Sequence, residues 1–248
     1  MRIGVLGDIH SNLEALTAVV DQMREHEAID HWVQVGDIVG YGADPRPCVD
    51  LVRELGCVVS IGNHDAAVVG RLDTDYFNTY ARQAIDWTRD QLDQPYLDYL
   101  ADLPLFVEHE NYTVVHGTMH MPEQFGYVIS AVEAVESMAR QTTRIAFVGH
   151  SHVPAAYFQR ADREPEQLEY VLKEEFEVNI AEFSRTLANV GSVGQPRDED
   201  KRAAYCVYDT ETADLSVRRV HYDVATTQAK IREAGLPSVL ADRLALGV

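Results

Sequence analysis

Residues 1–12 read MRIGVLGDIHSN, a short apolar run that stops at a polar cluster, Asp8-Ile9-His10. From Asn12 the pattern changes. Leu13, Leu16, Val20 and Met23 recur at helical spacing, which predicts an amphipathic helix to about His26. The same order returns twice. HWVQV (31–35) leads into GDIVGYGADP (36–45) and a helix that Pro45 can start, running to about Leu55. CVVSI (57–61) leads into Gly62-Asn63-His64-Asp65. Three β–α repeats imply right-handed crossovers and strands that are parallel or nearly so, hence an α/β fold.

Beyond this start, residues 66–104 read as helical, with breaks at Pro95 and Pro104. LFVEH (105–109), YTVVH (112–116), IAFVG (145–149) and PAAYF (154–158) read as strands. Ser130 with Glu133 makes a capping box for a helix over Ala131–Arg140. The charged stretch REPEQLEYVLKEEFEV (163–178) is expected to be a solvated excursion of strands or helix with no assigned function. RTLANV, AAYCVYD and LSVRRVHY are expected to form antiparallel strands closing the second half, and residues 224–246 one or two surface helices. Without repeats or linker-like runs, residues 1–248 are expected to form one domain.

Composition sets limits on partners. The formal net charge of −19 argues against broad nucleic-acid binding, which needs clustered Lys and Arg. No apolar run is long enough to span a bilayer, and the N-terminus reads as a strand rather than a signal peptide. Cys48, Cys57 and Cys206 form no CxxC pair, so a reduced, cytoplasmic setting is expected. The acidity also poses a problem: an anionic substrate would need strong local positive charge.

Five strand ends carry polar side chains beside glycine: Asp8/His10, Asp37, Asn63/His64/Asp65, His116, and His150/His152. They hold five of the ten histidines. Open α/β sheets place ligand crevices at such carboxyl ends. On an extended segment residues two apart share a face, so Asp8 with His10, and His150 with His152, are expected to point together. Asp37, central in the order, can bridge two metals. Mixed imidazole and carboxylate donors suit Zn, Mn, Fe or Co better than Mg or Ca.

In order, D-x-H, G-D, G-N-H-D, H and G-H-x-H resemble the motifs of the calcineurin-like metallophosphoesterases. GDIVGYG and NVGSVGQPRD narrow the resemblance towards the bacterial YfcE-like and diadenosine-tetraphosphatase-like phosphoesterases. The resemblance implies a four-layer α/β/β/α sandwich of two mixed sheets with flanking helices and two divalent transition-metal ions (Mn, Fe, Zn, Co or Ni). Asp8, His10 and His152 would hold one metal, Asn63, His116 and His150 the other, with Asp37 bridging. A metal-bridging hydroxide would attack a phosphodiester, a phosphomonoester or a dinucleoside polyphosphate. His64 would be the catalytic histidine and Asp65 its orienting partner.

Tyr41 stands where Ser/Thr protein phosphatases carry an arginine, so a bidentate phosphate clamp is missing there. Asn12, Tyr41 and Arg197 are candidate substrate contacts, and His120, Phe125 and Tyr127 candidate pocket walls. The expected partner is a small phosphorylated molecule or nucleotide, without a membrane; a homo-oligomeric assembly is left open. The competing reading is a non-catalytic binding scaffold on the same fold. A scaffold would be expected to lose ligand positions, and all seven are present.

Overall fold

The computed structural model describes every residue except Glu174, which belongs to the charged stretch 163–178. The three opening repeats form β1 (Arg2–Leu6), α1 (Leu13–His26), β2 (His31–Gln34), α2 (Pro45–Glu54), β3 (Val58–Val59) and α3 (Asn63–Val68). Helices α4 (Thr79–Gln91) and α5 (Gln94–Ala101) follow. Pro95 starts α5 instead of breaking a helix, because the first helical N–H groups have no intrahelical acceptor to lose.

The second half contributes β4 (Phe106–His109), β5 (Tyr112–Val115), α6 (Ala131–Met138), β6 (Ile145–Val148), β7 (Ala155–Gln159), β8 (Glu169–Val171), β9 (Phe176–Asn179), β10 (Arg185–Asn189), β11 (Ala203–Asp209) and β12 (Asp214–Val220). Helices α7 (Val224–Glu233) and α8 (Ser238–Asp242) end the chain's regular structure, apart from a short 3-10 turn at Arg243–Ala245.

The strands make two mixed six-stranded sheets, ordered β3-β2-β1-β11-β12-β9 and β4-β5-β6-β10-β7-β8. Their packing follows from alternation along each strand. In β6, Ile145 and Phe147 face the other sheet, where they meet Ile3 and Val5 of β1 and Cys206 and Tyr208 of β11. Ala146 and Val148 face outward onto Ala134 and Met138 of α6. Tyr205 and Val207 of β11 face the other way, onto Leu16 and Val20 of α1. The layers are therefore α/β/β/α.

One expectation needs correction. The last strands are not one antiparallel run. β11 and β12 join the first sheet beside β1, whereas β10 joins the second, parallel to β6 and antiparallel to β7. Alternation reports which faces are buried but not which strand is the neighbour. The charged stretch is shared between the sheets, β8 forming one edge of the second and β9 one edge of the first. Charge suits such edges because it discourages pairing with other chains.

In each sheet a parallel trio, β1-β2-β3 and β5-β6-β10, sends three carboxyl ends towards the site loops.

Candidate active site

All five motif-bearing strand ends converge, and the loop after β10 joins them. The extended geometry expected for Asp8/His10 and His150/His152 is absent. Asp8, His10, Asp37, Tyr41, His150 and His152 all have φ between 34° and 67°. Such left-handed residues cost on the order of 1–2 kcal/mol each, although Asp and His tolerate the conformation better than most. Left-handed turns, not strand alternation, aim these side chains. One consequence is that His150 and His152 separate into different donor groups.

Close packing of the loops needs glycine. A Cβ on Gly62 would lie 2.1 Å from Asp37 N and Oδ1, and one on Gly194 would lie 1.8 Å from the Ile9 carbonyl oxygen.

Two groups of buried donors result. Asp8, His10, Asp37 and His152 form one, and Asp37, His116 and His150 the other; within each, one ligand atom per residue lies within 4.8 Å of the rest. Asp37 belongs to both. Asn63 joins the second group, its Oδ1 lying 3.0 Å from His116 Nε2.

The donor set fits metal. His10, His116 and His152 each direct Nδ1 at a carbonyl oxygen, of Val39 (3.2 Å), Val35 (2.9 Å) and Gln195 (2.6 Å). Each bond fixes a proton on Nδ1 and leaves the Nε2 lone pair pointing inward, the usual arrangement for a ligating histidine. His10 Nε2 and His152 Nε2 then face one another at 3.1 Å, and His116 Nε2 faces Asp37 Oδ2 at 3.3 Å. Lone pairs this close repel unless a cation or proton lies among them.

The electrostatics show the same demand for positive charge. Burial pushes Asp8 up to about 7. Burial would also raise Asp37, but His116 and His64 hold it well below the carboxylate range. Burial works to lower His116, yet the Asp37 and Asp8 carboxylates outweigh it and lift the ring to about 9. His10, His150 and His152 are held well below the usual value, chiefly by burial, and are neutral donors.

A cleft of about 690 Å³ opens over these donors. His64 lines it, its ring centroid 4.4 Å from that of Tyr41 and 5.0 Å from that of Phe77. His64 Nδ1 is buried without a hydrogen-bond partner, and burial lowers the ring to about 4. A neutral ring with no acceptor at Nδ1 carries its proton better on Nε2.

Asp65 does not orient that ring. It is the third residue of α3, and its carboxylate reaches back to accept from Gly62 N and Val39 N, both at 3.1 Å. It fixes the loops rather than the imidazole. The α3 N-terminus meanwhile donates from His64 N to Asp37 Oδ1 at 2.8 Å.

Asn12 is also displaced from its expected role. It caps α1 through Ala15 N, donates to the Gly194 carbonyl at 2.8 Å and accepts from Thr227 Oγ1 at 3.1 Å. Its amide is buried and spent on joining three segments. Tyr41, Arg197, Phe125 and Tyr127 do line the cleft, and His120 does not. Among the lining residues that carried no signal in the sequence are Tyr76, Phe77 and Arg243. Each lies in a stretch that reads as ordinary helix or surface.

An α/β/β/α sandwich with two His/Asp donor groups at its strand ends has the architecture of a metallophosphoesterase. Residues 1–213 match the calcineurin-like phosphoesterase superfamily domain, and the chain belongs to that family. A solved metallophosphoesterase from Sphaerobacter thermophilus is 40% identical, with a TM-score of 0.88 over 100% of this chain and 99% of that one. An uncharacterized protein of Methanocaldococcus jannaschii is 37% identical, covering 99% of this chain and 98% of its own. A symmetrical bis(5'-nucleosyl)-tetraphosphatase of Vibrio cholerae is 25% identical over 55% of this chain and 51% of its own.

Proposed function

We propose that the chain is a dimetal-dependent phosphoesterase acting on a small phosphorylated molecule, with a nucleotide or dinucleoside polyphosphate as the favoured substrate class. The observation carrying this reading is the pair of buried donor groups joined at Asp37 beneath a cleft large enough for such a ligand. Asp8, His10 and His152 would hold one divalent transition metal, Asn63, His116 and His150 the other, and Asp37 both. When bound, the ions supply Lewis-acid neutralisation of phosphoryl charge and acidify water.

The remaining roles fall to side chains. His64 presents Nε2–H to the phosphoryl or leaving oxygen, where a fixed donor stabilises developing charge. Asp65 ties Gly62 to Val39 and so holds the β2 and β3 loops together around the donor groups. Tyr41 packs against both the His10 and His64 rings, which also meet edge-on, and helps fix both. The relative named as a tetraphosphatase supports the nucleotide class. Residues from both ends of the chain line one cleft, which supports a single working domain, and three free cysteines support a cytoplasmic setting.

The test is hydrolysis of phosphomonoesters, bis-p-nitrophenyl phosphate and diadenosine tetraphosphate after chelation and reconstitution with each metal. Chelation is expected to abolish turnover and Mn²⁺ to restore it. Two bound ions without turnover of any substrate would replace this reading with a binding scaffold. His64→Ala is expected to lower kcat by at least about 100-fold with two ions still bound.

A further inference from the structure

The proposed centre accounts for one phosphoryl group, but the cleft holds a second feature that it does not use. Arg197 and Arg243 both line it. Acids outnumber Lys and Arg by 40 to 21 in this chain, and several other half-buried arginines are paired accordingly, Arg202 with Asp200 and Arg160 with Glu182. Neither cleft arginine pairs with an Asp or Glu side chain among the described residues, although Arg243 Nε reaches an oxygen of Val248.

Their hydrogen bonds go elsewhere. Arg197 Nη2 donates to the Tyr41 hydroxyl at 3.4 Å, and its Nε is buried without a partner. Arg243 donates from Nε and Nη1 to the Gln195 side-chain oxygen at 2.8 and 3.0 Å, in the amide orientation that satisfies both residues, and Nε also reaches the Val248 backbone oxygen. Burial and the Arg197 charge press Arg243 below its usual value. Holding two like charges together in a half-buried site is costly unless an anion enters.

Each guanidinium is one residue away from the donor groups. Arg197 contacts Tyr41, whose ring lies 4.6 Å from that of His10. Arg243 contacts Gln195, whose carbonyl accepts from His152 Nδ1 at 2.6 Å. Arg243 also comes from outside residues 1–213. Leu240, Ala241 and Leu244 seat its segment on Tyr41, Ala81 and Ala84, so the C-terminal helices complete one wall of the cleft.

We propose that Arg197 and Arg243 form a second anion subsite that takes a phosphoryl group adjacent to the one at the metal centre, so that the substrate carries at least two linked phosphates. The placement of the first phosphate rests on the phosphoesterase reading. Planar guanidinium forks suit phosphate oxygens, and charge-assisted bonds of this type favour a pyrophosphoryl ligand over orthophosphate by about tenfold or more.

The experiment is calorimetric binding of orthophosphate and pyrophosphate to the Mn²⁺-loaded protein, with free metal buffered and no turnover required. The wild type is expected to prefer pyrophosphate by at least about tenfold, and Arg243→Gln to reduce that preference to less than about threefold while orthophosphate affinity stays within about twofold. Arg243→Lys should recover part of it. A wild type without preference, or an Arg243→Gln variant that retains it, overturns the subsite. If Arg243→Gln does not fold, Arg197→Gln carries the same expectation and the same refutation. A protein that shows the preference yet hydrolyses nothing would sink the phosphoesterase reading and leave the subsite standing.

Discussion

The space between the two sheets and the loops above it are built from the same strands by opposite rules. Between the sheets, Ile3, Val5, Ile145, Phe147, Cys206 and Tyr208 follow strand alternation and contribute burial. Burying one such side chain contributes roughly 1.5–3 kcal/mol. A few residues further on, Asp8, His10, Asp37, His150 and His152 occupy left-handed backbone, bury charge and turn lone pairs on one another. Each of those choices costs stability, so the core must offset what the loops spend. Strain and buried charge concentrated at these strand ends mark function, because folding alone does not require them.

The contrast can be broken from either side, and the largest effect is expected at Asp37. Asp37→Asn retains a residue type that tolerates φ near 57° and removes a buried charge. Turnover should fall by at least about 1,000-fold and bound metal should drop below two ions, since both donor groups lose a member. At neutral pH the metal-free protein should also lose some stability, because His116 and His64 hold the Asp37 carboxylate well below its usual range and the variant leaves the His116 ring without that partner. Full metal content in the variant would mean that Asp37 holds the fold rather than the site.

Gly62→Ala comes next. The added carbon would meet Asp37 N and Oδ1 at 2.1 Å, so either the β2 loop or α3 must move. An activity loss of about 100-fold is expected, because an ångström of misplacement at a reacting centre has that effect. Unchanged kcat would show that the two loops are more pliant than their packing suggests.

Phe147→Ala tests the other region. Phe147 is fully buried between the sheets and should cost about 3–5 kcal/mol, seen as a drop of roughly 6–20 °C in Tm. Metal content per folded molecule should be unchanged. A selective loss of metal without a fall in Tm would dissolve the distinction between core and loops.

The same contrast explains how much was legible in the sequence. β1, α1, β2, α2 and β3 announce themselves because periodicity and burial act locally. The motif residues are legible as types at strand ends, and the structure brings all seven candidate ligands together. Their aim is not legible, since it depends on left-handed turns that strand alternation misreads. Asp65 and Asn12 look like functional polar groups because a sequence cannot show that their oxygens are already engaged, by Gly62 and Val39 in one case and by Ala15 and Thr227 in the other. Arg243 is silent for a further reason. Its place in the cleft is made by Leu240 and Leu244 docking near Tyr41, some two hundred residues earlier in the chain.

The smallest expected effect lies at the cleft's outer wall. Tyr127 is about half exposed and stacks on His150, ring centroids 3.9 Å apart with an interplanar angle of 18°. It belongs to neither region fully: its backbone lies in the loop after β5, and its ring covers a candidate ligand from the solvent side. Tyr127→Ala should leave core packing and metal count intact. A stacking contact of this kind contributes about 0.5–1.5 kcal/mol, so a rise in KM of about 2- to 10-fold is expected, with kcat changed less. Tyr127→Phe should behave as the wild type, because the stack needs the ring and not the hydroxyl. If Tyr127→Ala instead releases one metal ion, the ring is holding His150 in its left-handed turn, and the strained loops depend on their aromatic cover.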